Sequence, residues 1–213
     1  MHPSVLPDRA WDLVGRMEDS GLLQDWLLCG GTGLALHFGH RVSEDLDFFR
    51  PDDFGAEALV RAIADLGPVR ILSRAENTIH TKVNNVKLSF IKSEGDFVFP
   101  PSGYRGLRIA DPRDVAAMKL VAIGGRGSRR DFVDLYWYLQ QVPGLGNVFQ
   151  TLRLKDPEID WNEYHLLRSL TWFEDAEQEP MPTMRKDIAW EDIKGYFEEV
   201  AVQGMGDLTS DGG

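Results

Sequence analysis

The chain of 213 residues is 43% hydrophobic and 27% charged, the balance of an ordinary globular protein with enough apolar material for a sizeable core. Its net charge of −11 divides as −3 over 1–110, +1 over 111–141 and −9 over 142–213, which excludes a long basic face for extended DNA and leaves room only for a local phosphate site in the middle segment. A single cysteine, Cys29, excludes an internal disulfide or a multi-cysteine zinc site, and the absence of a leader pattern or a bilayer-length apolar run predicts a cytoplasmic protein.

Taken in chain order, "PDRAWDLVGRMEDSG" has the spacing of an amphipathic helix stopped at Gly21, and "DWLLC" is a short apolar strand running into Gly30 and Gly31. Thr32 is placed to cap a helix "GLALHF", after which the chain returns to a strand "DLDFF". Period-two alternation puts Leu46 and Phe48 on one face of that strand and Asp45 and Asp47 on the other. "PDDFGAEALVRAIADLG" is helical, and "VRILSRA", "TIHTKV" and "VKLSFIK" alternate as strands, the last two joined at Asn84-Asn85, residues that tolerate positive φ. From Asp111 the pattern turns helical. Asp111 and Pro112 mark one helix start and Ser128 another, and further helices are expected in "WNEYHLLRSLTWFEDAEQ" and "WEDIKGYFEEVAV". The aromatic residues Trp161, Tyr164, Trp172 and Phe173 are assigned to the core of this helical part. The expected organisation is α+β: a mixed sheet flanked by helices over 1–110, a helical lobe over 111–203, and a disordered tail over 204–213.

Two features carry chemistry. Asp45 and Asp47, two apart on a strand, project side by side and repel unless a cation sits between them, and a divalent metal is the usual one. A solvated edge strand is the bland alternative for the pair. Upstream, Gly30-Gly31-Thr32 leads into a helix N-terminus, whose free N–H groups and positive dipole end suit a phosphate. Together they supply what transfer from a nucleoside triphosphate requires.

With thirteen residues between Gly31 and Asp45-Leu46-Asp47, the pattern resembles the polymerase β-type nucleotidyltransferase superfamily. More closely, "GGTGLALHFGHRVSEDLDFF" with "DVAAMKLVAIGGRGSRRDFVDLYWYL" resembles the AbiEii/AbiGii toxin family of nucleotidyltransferases from abortive-infection and toxin–antitoxin systems, over roughly residues 20 to 200. The resemblance implies that Gly30, Gly31 and Thr32 hold the triphosphate of an NTP, that Asp45 and Asp47 hold Mg²⁺ or Mn²⁺, and that Lys119 and Asp131 complete the site; Asp131 is the expected base if the helical lobe folds over the sheet. It implies a cognate antitoxin protein as well. Lys119 lies among Ala116, Ala117, Met118, Leu120 and Val121, where a lysine either snorkels or points at an anion. Arg126, Arg129 and Arg130 form the one local excess of positive charge and are candidates for phosphate or acceptor contacts, a solvated loop being the alternative. Arg41 and Ser43 match recurrent family positions and are expected to orient Asp45 or the triphosphate.

One departure stands out. The strand that should supply a third carboxylate reads "VKLSFI", with Ser89 at the expected position, and a serine hydroxyl is neither a base nor a good metal ligand. The expected function is transfer of a nucleoside monophosphate to an acceptor hydroxyl on RNA, protein or a small molecule; the competing expectation is a catalytically inactive nucleotide-binding or interaction module. There is no P-loop, dinucleotide fingerprint or HExxH pattern, and His37, His40, His80 and His165 suggest no metal site.

Overall fold

The computed structural model describes residues 1–210. After a single 3₁₀ turn at Pro3–Val5, helix α1 (Asp8–Asp19) buries Ala10, Leu13, Val14 and Met17, the stripe its spacing predicts, and gives way to Gly21 at φ +74°. Strand β1 (Leu27–Leu28) leads into α2 (Gly30–Phe38), which ends at Gly39 in the left-handed conformation. β2 (Asp45–Arg50), α3 (Ala56–Ala64), β3 (Val69–Ala75), β4 (Thr78–Val83) and β5 (Val86–Lys92) follow. The β4–β5 hairpin turns on Asn84 and Asn85, both at positive φ, as their side chains permit. A second hairpin, β6 (Ser102–Tyr104) with β7 (Leu107–Ile109), was not anticipated; its strands are too short to show periodicity.

The strands form one mixed sheet in the order β3-β4-β5-β2-β1-β7-β6. β2 lies at its centre, antiparallel to β1 and parallel to β5, with Asp45, Asp47 and Phe49 opposite Lys87, Ser89 and Ile91. Leu46 and Phe48 face a core built with α1, α3 and the inner faces of β4 and β5. The opposite sheet face carries the carboxylates.

Residues of α4 (Pro112–Arg126), α5 (Arg129–Leu139) and α6 (Gly146–Lys155) meet that face, and α7 (Glu163–Ser169), α8 (Glu174–Glu177) and α9 (Trp190–Ser210) pack on those helices. Asp111 caps α4 ahead of Pro112, and Ser128 caps α5 through a reciprocal box with Asp131. Most buried apolar residues fall in two clusters, one over 5–109 and one over 116–201. The chain then returns from the lobe to the sheet: Arg41 bridges Met184, and His40 O accepts from Arg185 N at 2.8 Å.

Three expectations are corrected. Tyr164 (57% exposed) and Trp172 (63%) lie outside the lobe's core, whereas Trp161 and Phe173 pack against it, because the expected single helix breaks between α7 and α8. The segment 204–210, expected to be disordered, continues α9, since Met205 packs on the helical core and Gly204 lies against Leu167; residues 211–213 of that expected tail lie outside the described residues. Thr32 is the third residue of α2 and not its cap, which is Cys29 without a side-chain bond.

Candidate functional site

A polar cavity of about 200 Å³ opens where the N-terminus of α2 meets the start of β2, lined by Gly31, Thr32, Asp45, Asp47, Lys119 and Asp131, with Arg41, Ser43, Ser128 and Arg130. The local reason is topological: β1 ends in the glycine turn, and Cys29 N donates to Asp47 O, so the helix start and the carboxylate strand are hydrogen-bonded neighbours. Gly30 sits at φ +63°, and a Cβ there would stand 3.4 Å from Asp47 Oδ2. The leading N–H groups of α2 meet no side-chain cap and have no partner within the helix.

Thr32 and Ser43 serve the scaffold. Thr32 is buried, its hydroxyl donates to Asp45 O, and its Oγ1 lies 2.7 Å from Ser43 Oγ. The threonine hydroxyl therefore ties α2 to β2 and is not free to cradle a phosphate.

Behind the cavity lies a buried charge cluster centred on Asp134, a residue the sequence reading passed over. Arg41 grips it through both guanidinium branches, Nε to Oδ1 at 2.7 Å and Nη2 to Oδ2 at 2.9 Å; His40 Nε2 is 2.9 Å from Oδ1, and Lys119 Nζ is 2.8 Å from Oδ2. Burial pushes the Asp134 carboxyl up, but Arg41 and Lys119 outweigh it and hold the group well below the usual range. Lys119 also meets Asp131 Oδ1 at 2.6 Å; burial pulls its ammonium down, and the two carboxylates more than offset it. Lys119 thus points at anions, one of the two expected alternatives. The clue to Asp134 was its i, i+3 spacing from Asp131 on α5.

Asp131 reaches the cavity, yet both its oxygens are engaged: Oδ1 by Lys119, Oδ2 by the backbone N–H and hydroxyl of Ser128. Burial raises its proton affinity, Lys119 and Ser128 lower it further, and the carboxyl ends below its ordinary value. That is a poor setting for the base role expected of it.

Asp45 and Asp47 share the expected face. Asp45 is flanked by Arg130 Nη1 at 3.6 Å and Lys87 Nζ at 3.8 Å. Asp47 has no cation at that range among the described residues; burial pushes its carboxyl above the usual range, and Asp45 adds to this against a hydrogen bond from Ser89. Ser89, in register opposite Asp47, lies with Oγ 2.9 Å from His80 Nδ1. Ser89 thus stands between His80 and Asp47. His80 had no partner legible in the sequence; only the β4–β5 register supplies one.

Of the basic candidates, Arg130 reaches the cavity. Arg126 does not: its side chain is 85% exposed at the end of α4, nearest Asp175. Arg129 stacks on Trp190 at 4.7 Å and donates to Ala176 O at 2.8 Å, binding α5 to α8. Arg41 and Ser43 are both buried parts of the scaffold.

The donor set fits Mg²⁺ or Mn²⁺, ions held by one or two carboxylates and completed by substrate phosphates. Asp47, desolvated beside a like charge and facing a polar cavity, is the observation in favour. Among the described residues, no cluster of three or more His, Cys, Asp or Glu could form an all-protein cage.

Comparisons with known proteins give the family and the fold. A family model described as "Nucleotidyl transferase AbiEii toxin, Type IV TA system" matches residues 11–109 and 77–201. An uncharacterized protein of Aquifex aeolicus (strain VF5) is 36% identical over 195 residues, 89% of this chain and 89% of its own. In fold, the chain is similar to the crystal structure of JHP933 from Helicobacter pylori, with TM-score 0.55 and 19% identity over 99% of this chain and 93% of that one. It is also similar to MenT4, a nucleotidyltransferase toxin from Mycobacterium tuberculosis H37Rv, with TM-score 0.55 and 15% identity over 83% of this chain and 75% of that one. The expected α+β fold, a nucleotidyltransferase-type mixed sheet flanked by helices and followed by a helical lobe, is the one observed.

Proposed function

The chain belongs to the AbiEii nucleotidyl transferase toxin family, and from that premise we propose that it moves a nucleoside monophosphate from an NTP to an acceptor hydroxyl and acts as the toxin of a pair whose antitoxin is a separate protein. The observation that carries the reading is the single cavity shared by the α2 N-terminus, Asp45, Asp47 and Lys119.

The N–H groups of Gly30, Gly31 and Thr32 take the β- and γ-phosphates, where the helix dipole favours negative charge. Asp45 and Asp47 would hold Mg²⁺ or Mn²⁺, which would supply neutralisation of the phosphate charge. Lys119, positioned by Asp131 and Asp134, faces the charge that develops on the leaving pyrophosphate. The acceptor oxygen forms its bond to the α-phosphorus as the bond to pyrophosphate breaks, pyrophosphate departs, and the acceptor's proton leaves to water. Ser89 and His80 occupy the place of a third carboxylate and keep Asp47 aimed, as the hydrogen bond between them supports.

An adjoining groove of about 350 Å³ carries Arg9, Lys82, Lys87 and Arg130, with Glu44 paired to Arg9 and Asp45 beside Lys87 and Arg130, and its net positive charge supports an anionic acceptor such as RNA. Lys82 and Lys87 stand directly opposite each other across β4 and β5, with Asp45 3.8 Å from Lys87. Incubation with each α-labelled NTP, Mg²⁺ and total RNA or lysate tests the reading: label should enter RNA or protein with the wild type and be lost in Asp45→Ala. The second reading, an inactive nucleotide-binding module, is favoured by Ser89. It wins if NTP binds and no label moves with any acceptor. No helix among the described residues is long and apolar enough to cross a membrane, and we place the reaction in the cytoplasm.

A further inference from the structure

We propose that the outward face of α7 is a docking site for a basic amphipathic helix of another protein, anchored by Tyr164, Arg168 and Trp172, an inference separate from the transfer reading. Helical hydrogen bonding continues past Ser169: Leu170 N donates to Leu167 O at 3.2 Å, Thr171 N to Arg168 O at 3.1 Å and Trp172 N to Ser169 O at 3.1 Å. Residues four apart therefore share a face as far as Trp172. Leu166, Leu167 and Leu170 are buried on the inner side, where α7 packs on α4 and α9. Tyr164, Arg168 and Trp172, all exposed, form the opposite stripe over about 12 Å, and none of them lines the cavity at Asp45.

Both aromatics stand more than half exposed, and among the described residues none of the three side chains makes a hydrogen bond, an ion pair or a ring contact. A lone apolar residue on a surface is ordinary; two aromatics in one stripe with an arginine between them have the composition of an interface hot spot. A ridge of residues four apart is also what one helix offers to the groove of another. Charge selects the partner. Glu158 and Asp160 precede the stripe and Glu174 follows it, all exposed and with carboxylates unpaired among the described residues, in a part of the chain, 142–213, that carries −9. Such surroundings repel RNA and a second copy of this lobe, and attract a helix whose polar face is lysine and arginine.

Fluorescence anisotropy with a labelled amphipathic peptide of lysine and leucine at helical spacing tests the site. The peptide should bind the wild type more tightly than its glutamate–leucine counterpart and than a lysine–serine peptide of equal charge. Trp172→Ala should weaken it about tenfold or more, the effect of losing one hot-spot aromatic. Tyr164→Ala should weaken it too, and Glu158→Gln, Asp160→Asn and Glu174→Gln together should flatten its salt dependence. Thermal midpoints report folding; if Trp172→Ala lowers its own, Tyr164→Ala decides. Absence of binding, or binding undiminished in the folded variants, overturns the proposal. So does a single-stranded RNA whose binding Trp172→Ala weakens, or a dimer in sedimentation that Trp172→Ala dissociates, since either gives the face a different occupant.

Discussion

At the scale of single residues, the site is governed by which side chains occupy one another. Gly31 shows this: a Cβ there would overlap Arg41 Nη2 and lie 2.8 Å from Asp134 Oδ2. The glycine is thus required by the buried ion pair behind it as much as by a phosphate in front. Gly31→Ala should push Arg41 off Asp134 and lower unfolding free energy by about 2 kcal/mol, measurable by urea denaturation. Ser89→Ala should leave NTP binding within about twofold and reduce kcat by roughly tenfold, since Asp47 keeps its backbone place but loses its orienting hydrogen bond. Unchanged kcat would remove Ser89 and His80 from the site.

At the scale of elements, the start of α5 does two things at once. Ser128 accepts from Asp131 N while Asp131 accepts from the Ser128 N–H and hydroxyl, and the same carboxylate anchors Lys119 from α4. The cap is therefore also the joint between two helices at the cavity. Ser128→Ala should cost about 1 kcal/mol, as cap losses do, and should also slow nucleotidyl transfer through a misplaced Lys119. A stability loss with full activity would show that the joint is only structural. The boundaries of α4 and α5 were legible because cap residues act locally, through the backbone of their own turn. β6 and β7 were not, because each has only three residues, and α6 was not, because Leu145 offers no side-chain cap and Gly144 and Gly146 flank its start.

For the whole molecule, the helical lobe and the sheet are held together by a cluster that titrates. Burial lowers the affinity of His40 for a proton against the opposing bond to Asp134, and its Nδ1 is buried with no partner, so protonation would create an unpaired N–H. Its folded pKa lies below the unfolded value of about 6.5, and the sign follows: stability from neutral His40 is present above that pH and lost as pH falls below it toward the folded pKa. Asp134 contributes a second loss that begins only below about pH 3.9. Denaturant midpoints should therefore begin to fall below pH 6.5 in the wild type, and in His40→Gln that first decline should shrink while the acid-limit loss persists. The glycine turn, the paired carboxylates, the caps of α4 and α5 and the alternating strands were determined by the sequence itself, since each depends on neighbours within a few residues or on period-two geometry. The tertiary structure alone decided that Arg41, His40 and Lys119 converge on Asp134, that Arg126 stays in solvent while Arg130 reaches Asp45, and that His80 backs Ser89. Those partners are brought together across 93 and 94 residues for Arg41 and His40, and by strand register for His80. No local pattern encodes such distances; packing the lobe on the sheet creates them.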